Sequence, residues 1–167
     1  MTQAFVAVLM GSDSDLPVMQ ATLEVLDKVG VPYEVRVTSA HRTPQATHEY
    51  VTDADRRGCA VFIAAAGLAA HLAGAVAAAT LRPVIGVPLD AGPLQGMDSL
   101  LSTVQMPGGI PVACVAIGKA GAKNAAYLAA QILALSDDGL RKRLDEERAD
   151  TARGVLAKND TLFQRKG

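Results

Sequence analysis

The chain has 167 residues, half of them apolar and 20% charged, with a formal net charge of −1. That length suits one domain with a sizeable core. The charge balance excludes a partner held by bulk positive charge, whether nucleic acid or an anionic membrane surface.

Ala4 to Met10 is continuously apolar, as a strand covered on both faces would be. Gly11-Ser12-Asp13-Ser14-Asp15 breaks it. Leu16, Met19, Leu23 and Leu26 then recur at helical spacing, with Pro17 in the first turn and Gly30 at the end. Pro32 to Val37 reads as the second strand. Thr43 is placed to cap a helix from Pro44 to Arg57, which Gly58 stops. Ala60 to Ala65 reads as the third strand, Ala69 to Thr80 as a helix and Pro83 to Val87 as the fourth strand. Gly92, Pro93 and Gly96 mark a loop, after which Asp98 or Ser99 caps a short helix to Gln105. Pro107-Gly108-Gly109 breaks the chain again. Pro111 to Ile117 is the fifth strand, and Gly118 and Gly121 lead into a helix over Ala122 to Leu135. Asp137 to Lys158 is a charged amphipathic helix with a thin apolar stripe at Leu140, Leu144, Val155 and Leu156.

Strands alternating with helices imply βαβ units and a parallel sheet, and right-handed crossovers put helices on both faces. The expected fold is α/β: a single-domain three-layer sandwich with a central parallel sheet of roughly five strands, flavodoxin-like, plus a C-terminal helix. One domain fills 1–167, with a core over 1–135 and a helical extension over 136–167. The extension lies outside the βα repeat, so it is expected to pack on a neighbouring subunit of a homo-oligomer. The alanine-rich stretch around Gly74 and the shortage of aromatics fit the same picture. Cys59 to Leu81 is long enough to cross a bilayer. It is mostly alanine, however, and reads as a strand, a turn and a small-residue helix. Cys59 and Cys114 lie in strand-like runs and read as buried free thiols of a reducing compartment. The run from Ala4 to Met10 lacks the basic flank and cleavage site of a signal peptide.

Ser39-Ala40-His41-Arg42 sits where a strand hands over to a helix, the position at which open parallel sheets bind ligands. Ser39 can donate a hydrogen bond, Arg42 can fork onto a phosphate or carboxylate, and His41 can carry a proton near neutral pH. Flanked by two anion-binding types, His41 reads as a proton-transfer residue. Gly11 to Asp15 also opens a helix. Its N–H groups and serine hydroxyls suit a phosphate, and Asp15 suits sugar hydroxyls, which need an acceptor. Helix capping and turn formation account for the same residues equally well. His71 reads from its spacing as a satisfied buried histidine, and His48 as a surface residue. Gln105 to Gly109 either closes over a ligand or merely connects two elements. No Walker loop, dinucleotide fingerprint, nucleophile elbow or metal-ligand spacing occurs. A non-catalytic, flavodoxin-like mononucleotide-binding module is the rival of a different class; the scarcity of aromatics speaks against a flavin. Asp90 is misplaced for a phosphate-accepting receiver domain.

Several ordered motifs point further. They are Met10-Gly11-Ser12-Asp13-Ser14-Asp15, Ser39-Ala40-His41-Arg42-Thr43-Pro44, Ala69-Ala70-His71-Leu72 and Gly86-Val87-Pro88. Asp98-Ser99-Leu100-Leu101-Ser102, Val104-Gln105-Met106-Pro107, Gly109-Ile110-Pro111-Val112 and Asn124-Ala125-Ala126 follow. From Val6 to Leu135 the chain resembles the 5-(carboxyamino)imidazole ribonucleotide mutase family of purine biosynthesis. The resemblance implies a cytoplasmic homo-octamer without metal or cofactor. It implies transfer of a carboxylate from the exocyclic amine of aminoimidazole ribonucleotide to the adjacent ring carbon. Ser12, Ser39 and Arg42 would hold the phosphate, Asp15 the ribose hydroxyls, and His41 would be general acid and base. Ala70, His71 and Leu72, with their small neighbours, would line the pocket. The chain departs from the family pattern at Ala65 and Leu68, where glycines are common, and at Ala73, where proline is. A sister group of carboxylases uses free carbon dioxide. It commonly has lysine where Arg42 stands and lacks the Ala69-to-Leu72 run, so both features favour the mutase.

Overall fold

The computed structural model describes residues 4–163. Five strands, β1 (Phe5–Met10), β2 (Tyr33–Val37), β3 (Cys59–Ala66), β4 (Val84–Pro88) and β5 (Ala113–Cys114), pair in parallel in the order β2-β1-β3-β4-β5. The chain runs from β1 out to β2, then crosses back over β1 to β3. This is the expected flavodoxin-like order, and its direction reverses between β1 and β3.

The alternation of side chains in the central strands builds both cores. Val6, Val8 and Met10 of β1 point to one face, where α1 (Leu16–Val29) and α5 (Gly118–Leu133) cover them. Phe5, Ala7 and Leu9 point to the other, under α2 (Pro44–Arg57) and α3 (Leu72–Ala77). A strand buried on both sides has to be apolar at every position, which explains the unbroken run in the sequence. β3 carries one irregularity. Phe5 pairs with Cys59 but Val6 pairs with Val61, so Ala60 is an extra residue in the ladder. The bulge turns Cys59 to the α2/α3 face and Val61 to the α1/α5 face.

α1 and α5 lie close together because α5 presents only alanines at Ala122, Ala125, Ala126, Ala129 and Ala130. Thr22 crosses the seam, donating its hydroxyl to the Ala122 carbonyl at 2.8 Å. Gly30 and Gly58 end α1 and α2 with φ of 68° and 99°, the left-handed turn that favours glycine. α4 (Met97–Val104) packs beside β4, where a side chain on Gly86 would strike Thr103.

α3, β5 and α5 differ in extent from the sequence expectation, and two expected caps do not form. α3 spans Leu72–Ala77 rather than Ala69 to Thr80: the His71 N–H turns back to the Ala69 carbonyl at 2.9 Å, a tighter turn than a helix makes, just after the left-handed Leu68 (φ 56°). β5 is two residues long. The Val115 carbonyl accepts from the Asn124 side chain instead of joining the ladder, and Ala116 has a φ of 127°. α5 starts four residues earlier than expected, at Gly118. Neither expected cap forms on α2 or α4. Thr43 turns its hydroxyl back to Ser39, and α4 starts behind Gly96, with no side-chain cap. Cys59 is buried and free, whereas Cys114 is free but only half-buried because β5 is a short edge.

α6 (Asp138–Phe163) outruns its expected end at Lys158. Its first turns are anchored: Leu140 is buried, Arg143 donates to the Val29 carbonyl at 2.8 Å, and Tyr127 donates to Glu147 at 3.0 Å. From Arg148 to Leu162 every residue is exposed. Among the described residues no helix is long and apolar enough to cross a membrane. The Cys59-to-Leu81 stretch is β3, a turn and α3, as expected.

Candidate active site

Three connections leave the carboxyl ends of the adjacent strands β2, β1 and β3 and wall a cleft of about 340 Å³. It lies at the reversal of strand order, where two neighbouring crossovers part to opposite faces and leave a gap.

The connection after β1 is held from below by the Gly11 N–H, which donates to the Ala65 carbonyl at 3.1 Å. Ser12 to Asp15 then closes on itself. The Ser12 N–H donates to Asp15 Oδ2 at 3.0 Å, and the Ser14 N–H donates to Ser12 Oγ at 3.3 Å. This reciprocal capping box stiffens a single 3₁₀ turn, Asp13–Asp15, ahead of α1. Capping and ligand binding were rival readings of these residues; the geometry leaves room for both. Ser12 and Asp15 cap the turn and also face the cleft. Partial burial raises the Asp15 carboxyl above its ordinary value, opposed by hydrogen bonds from the Ser12 and Gly11 backbone.

The connection after β2 is fixed by threonines. Thr38 donates its N–H to the Met10 carbonyl at 2.8 Å and shares a hydroxyl–hydroxyl bond with Thr47 at 2.7 Å. Thr43 Oγ1 accepts from the Ser39 N–H at 2.9 Å, and the Arg42 N–H donates to Ser39 Oγ at 3.1 Å. The loop therefore arrives prefolded, with Ser39, His41 and Arg42 lining the cleft. Arg42 reaches across to the Gly11 carbonyl at 3.5 Å, which ties the first two walls together.

The connection after β3 supplies Gly67, Leu68, Ala69, His71 and Leu72. His71 is not the buried structural histidine that its spacing implies. It is exposed, and its Nδ1 lies 2.8 Å from Nε2 of His41. Ala70 is 2% exposed and does not line the cleft; its carbonyl accepts from Thr103 at 3.5 Å. His48 is on the surface, as expected. Gln105 to Gly109 stands away from the cleft, and Met106 packs toward Gly74. Ala91, which the sequence did not single out, adds to the wall: a side chain on Gly67 would meet its Cβ at 2.8 Å. Its only sequence signal is the glycine-rich loop after β4. Among the described residues, no group of three or more His, Cys, Asp or Glu is placed to hold a metal ion.

Arg42, the hydroxyls of Ser12 and Ser39, and the Asp15 carboxylate line one cleft with the His41 imidazole, a set chemically able to hold a phosphate and sugar hydroxyls and to move a proton. Residues 5–153 match the family model described as AIR carboxylase, and the chain belongs to that family. It is 54% identical to the N5-carboxyaminoimidazole ribonucleotide mutase of Bacillus subtilis, over 96% of this chain and 99% of that protein. It is 52% identical to the enzyme of the same name from Pseudomonas aeruginosa, over 94% and 96% respectively. The crystal structure of Treponema denticola PurE superposes with a TM-score of 0.87 at 27% identity, covering 96% of this chain and 99% of that one.

Proposed function

We propose that this protein catalyses the N5-carboxyaminoimidazole ribonucleotide mutase reaction of purine biosynthesis, with His41 as its proton carrier. The observation that carries the reading is the placement of His41 beside Arg42, facing Ser12 and Asp15 across one cleft. In the first step the bond between the exocyclic nitrogen and the carboxylate breaks. Carbon dioxide leaves, and the nitrogen takes a proton from His41. In the second, the ring carbon attacks the trapped carbon dioxide, and its proton returns to His41. Protons balance over the cycle, so one imidazole suffices for both transfers. The apolar wall of Ala66, Ala69 and Leu72 gives carbon dioxide a place to wait away from water.

Ser12, Ser39 and Arg42 hold the phosphate in this reading, and Asp15 accepts from the ribose hydroxyls. Ala70 supports the wall from behind, while His71 and Leu72 face the substrate. The protein works as a cytoplasmic homo-octamer; of the extension expected to pack on a neighbouring subunit, the first turns are held on the chain's own α1 and α5, and the part from Arg148 to Leu162 is left for the neighbour. The exposed helix beyond Arg148 supports that packing.

The same cleft could serve a carboxylase that fixes free carbon dioxide. Arg42 and the Ala69-to-Leu72 run favour the mutase. An absorbance assay decides: turnover of the carboxyamino substrate without added bicarbonate is the expected result. Product formed only from the amine with bicarbonate overturns it. Sedimentation as a monomer would overturn the assembly.

A further inference from the structure

We propose that His71 is a positioning residue that decides which nitrogen of His41 exchanges the substrate proton. The inference rests on the proton-carrier role of His41 proposed above. The two rings meet edge to face, with centroids 4.9 Å apart and planes at 85°. His41 Nε2 and His71 Nδ1 are 2.8 Å apart, so one proton lies between them: one nitrogen donates and the other accepts.

The catalytic cycle selects between the two arrangements. If His71 donated, neutral His41 would keep its own proton on Nδ1 and its lone pair on Nε2. Protonation would then have to occur at Nε2, and the contact would break at every turnover. If His41 donates instead, its Nδ1 holds a lone pair in the base form and a proton in the acid form. The Nε2–H bond to His71 persists through both. Only this second arrangement survives a cycle in which His41 first gives and then takes a proton. Nδ1 of His41 is then the working nitrogen, Nε2 is the tether, and His71 is a neutral acceptor with its own proton on Nε2.

The acceptor is well anchored. His71 immediately precedes α3; its N–H donates to the Ala69 carbonyl at 2.9 Å, and its carbonyl accepts from the Ala75 N–H at 3.0 Å. Leu72, Ala73 and Val76 then fasten the helix into the core. The ring of His41, on a different connection, is thereby referred to a fixed point across the cleft. Asp15 and Arg42 are the other charged side chains lining the cleft among the described residues, and the walls from β3 and Ala91 add no charge. A His71 protonated on both nitrogens would have no lone pair to offer and would repel a cationic His41.

The test compares His71→Leu with His71→Asn in the folded enzyme, checked by thermal melting. Asparagine puts a carbonyl oxygen near the place of Nδ1 and cannot be protonated. His71→Leu is expected to lower kcat about 10- to 100-fold, the scale on which hydrogen-bond partners of a functional histidine act. Its KM should change by less than about threefold. His71→Asn should regain most of the lost kcat. Nitrogen NMR of the free enzyme, above the pH range where imidazoles titrate, should show His41 protonated on Nε2 and bare on Nδ1. A mixture of tautomers is expected in His71→Leu. A raised KM with unchanged kcat in His71→Leu overturns the proposal, as does His71→Asn as slow as His71→Leu, or a proton on Nδ1 of neutral His41. If the His71 variants are unaffected while His41→Asn is inactive, only this inference fails. An active His41→Asn defeats the proton-carrier reading itself.

Discussion

Leu68 lies directly over Gly92: a Cβ added to Gly92 would sit 2.5 Å from Leu68 Cδ2. Leu68 has a φ of 56°, and the residue is 52% exposed at the rim of the cleft. A non-glycine residue in this region costs about 1–2 kcal/mol. Leu68→Gly is therefore expected to be more stable than Leu68→Ala by about 1 kcal/mol, although it deletes more of the side chain. Denaturant unfolding of the two variants checks the order; the reverse ranking would mean that the backbone there is unstrained.

His41→Asn should keep the fold and substrate binding while losing about 10²- to 10⁴-fold in turnover, the range of a missing acid–base group. Circular dichroism, ligand titration and the absorbance assay together distinguish loss of chemistry from loss of structure. Substantial residual activity would remove His41 from its role.

Arg42→Lys should raise KM roughly tenfold, because a point charge cannot replace the two-pronged fork on a phosphate. An unchanged KM would indicate that Arg42 serves the loop through the Gly11 carbonyl rather than the ligand.

Asp15 sets function against stability. Burial raises its folded-state carboxyl above the unfolded value, so folding is unpenalised in acid. The penalty grows as pH rises through the unfolded value and is complete above the folded one. Asp15→Asn keeps an oxygen to accept from the Ser12 N–H. It should melt at or above the wild-type temperature at neutral pH while binding the ribonucleotide more weakly. A lower melting temperature at neutral pH would contradict this sign.

Glu34 runs the other way. Arg57 and Tyr50 hold its carboxyl below the ordinary value, with Arg57 Nη2 donating at 2.8 Å and Tyr50 at 3.0 Å. Its stabilisation is present above the unfolded value and is lost as pH falls through the folded one. Glu34→Gln should therefore lower the melting temperature at neutral pH, and the gap should close in acid. A gap independent of pH would point to packing instead.

The parallel α/β class, the strand covered on both faces and the ends of α1 and α2 are legible in the sequence because each rests on a local rule: apolar runs, helical spacing, glycine after the last turn. The exact strand order is not, because it depends on pairing between distant segments. The place of His41 beside Ser39 and Arg42 on one cleft is legible because the three are neighbours in the chain at a strand's end. His71 is not readable from spacing because its partner is 30 positions away, and only the crossover from β2 over β1 to β3 brings the two together. The late start of α3 is hidden by alanines, which favour helix, while the backbone at Leu68 turns left-handed and the His71 N–H bonds back to the Ala69 carbonyl. β5 was overread because an apolar run does not reveal that Asn124 intercepts the Val115 carbonyl.

Ser12, Asp15, Ser39, His41 and Arg42 all stand on connections beyond the strand ends, whereas both apolar clusters lie beneath them. Selection can therefore act on the two levels separately. A duplicated gene could exchange the side chains of these short segments and acquire a preference for another nucleotide, while the scaffold below continued to assemble as before.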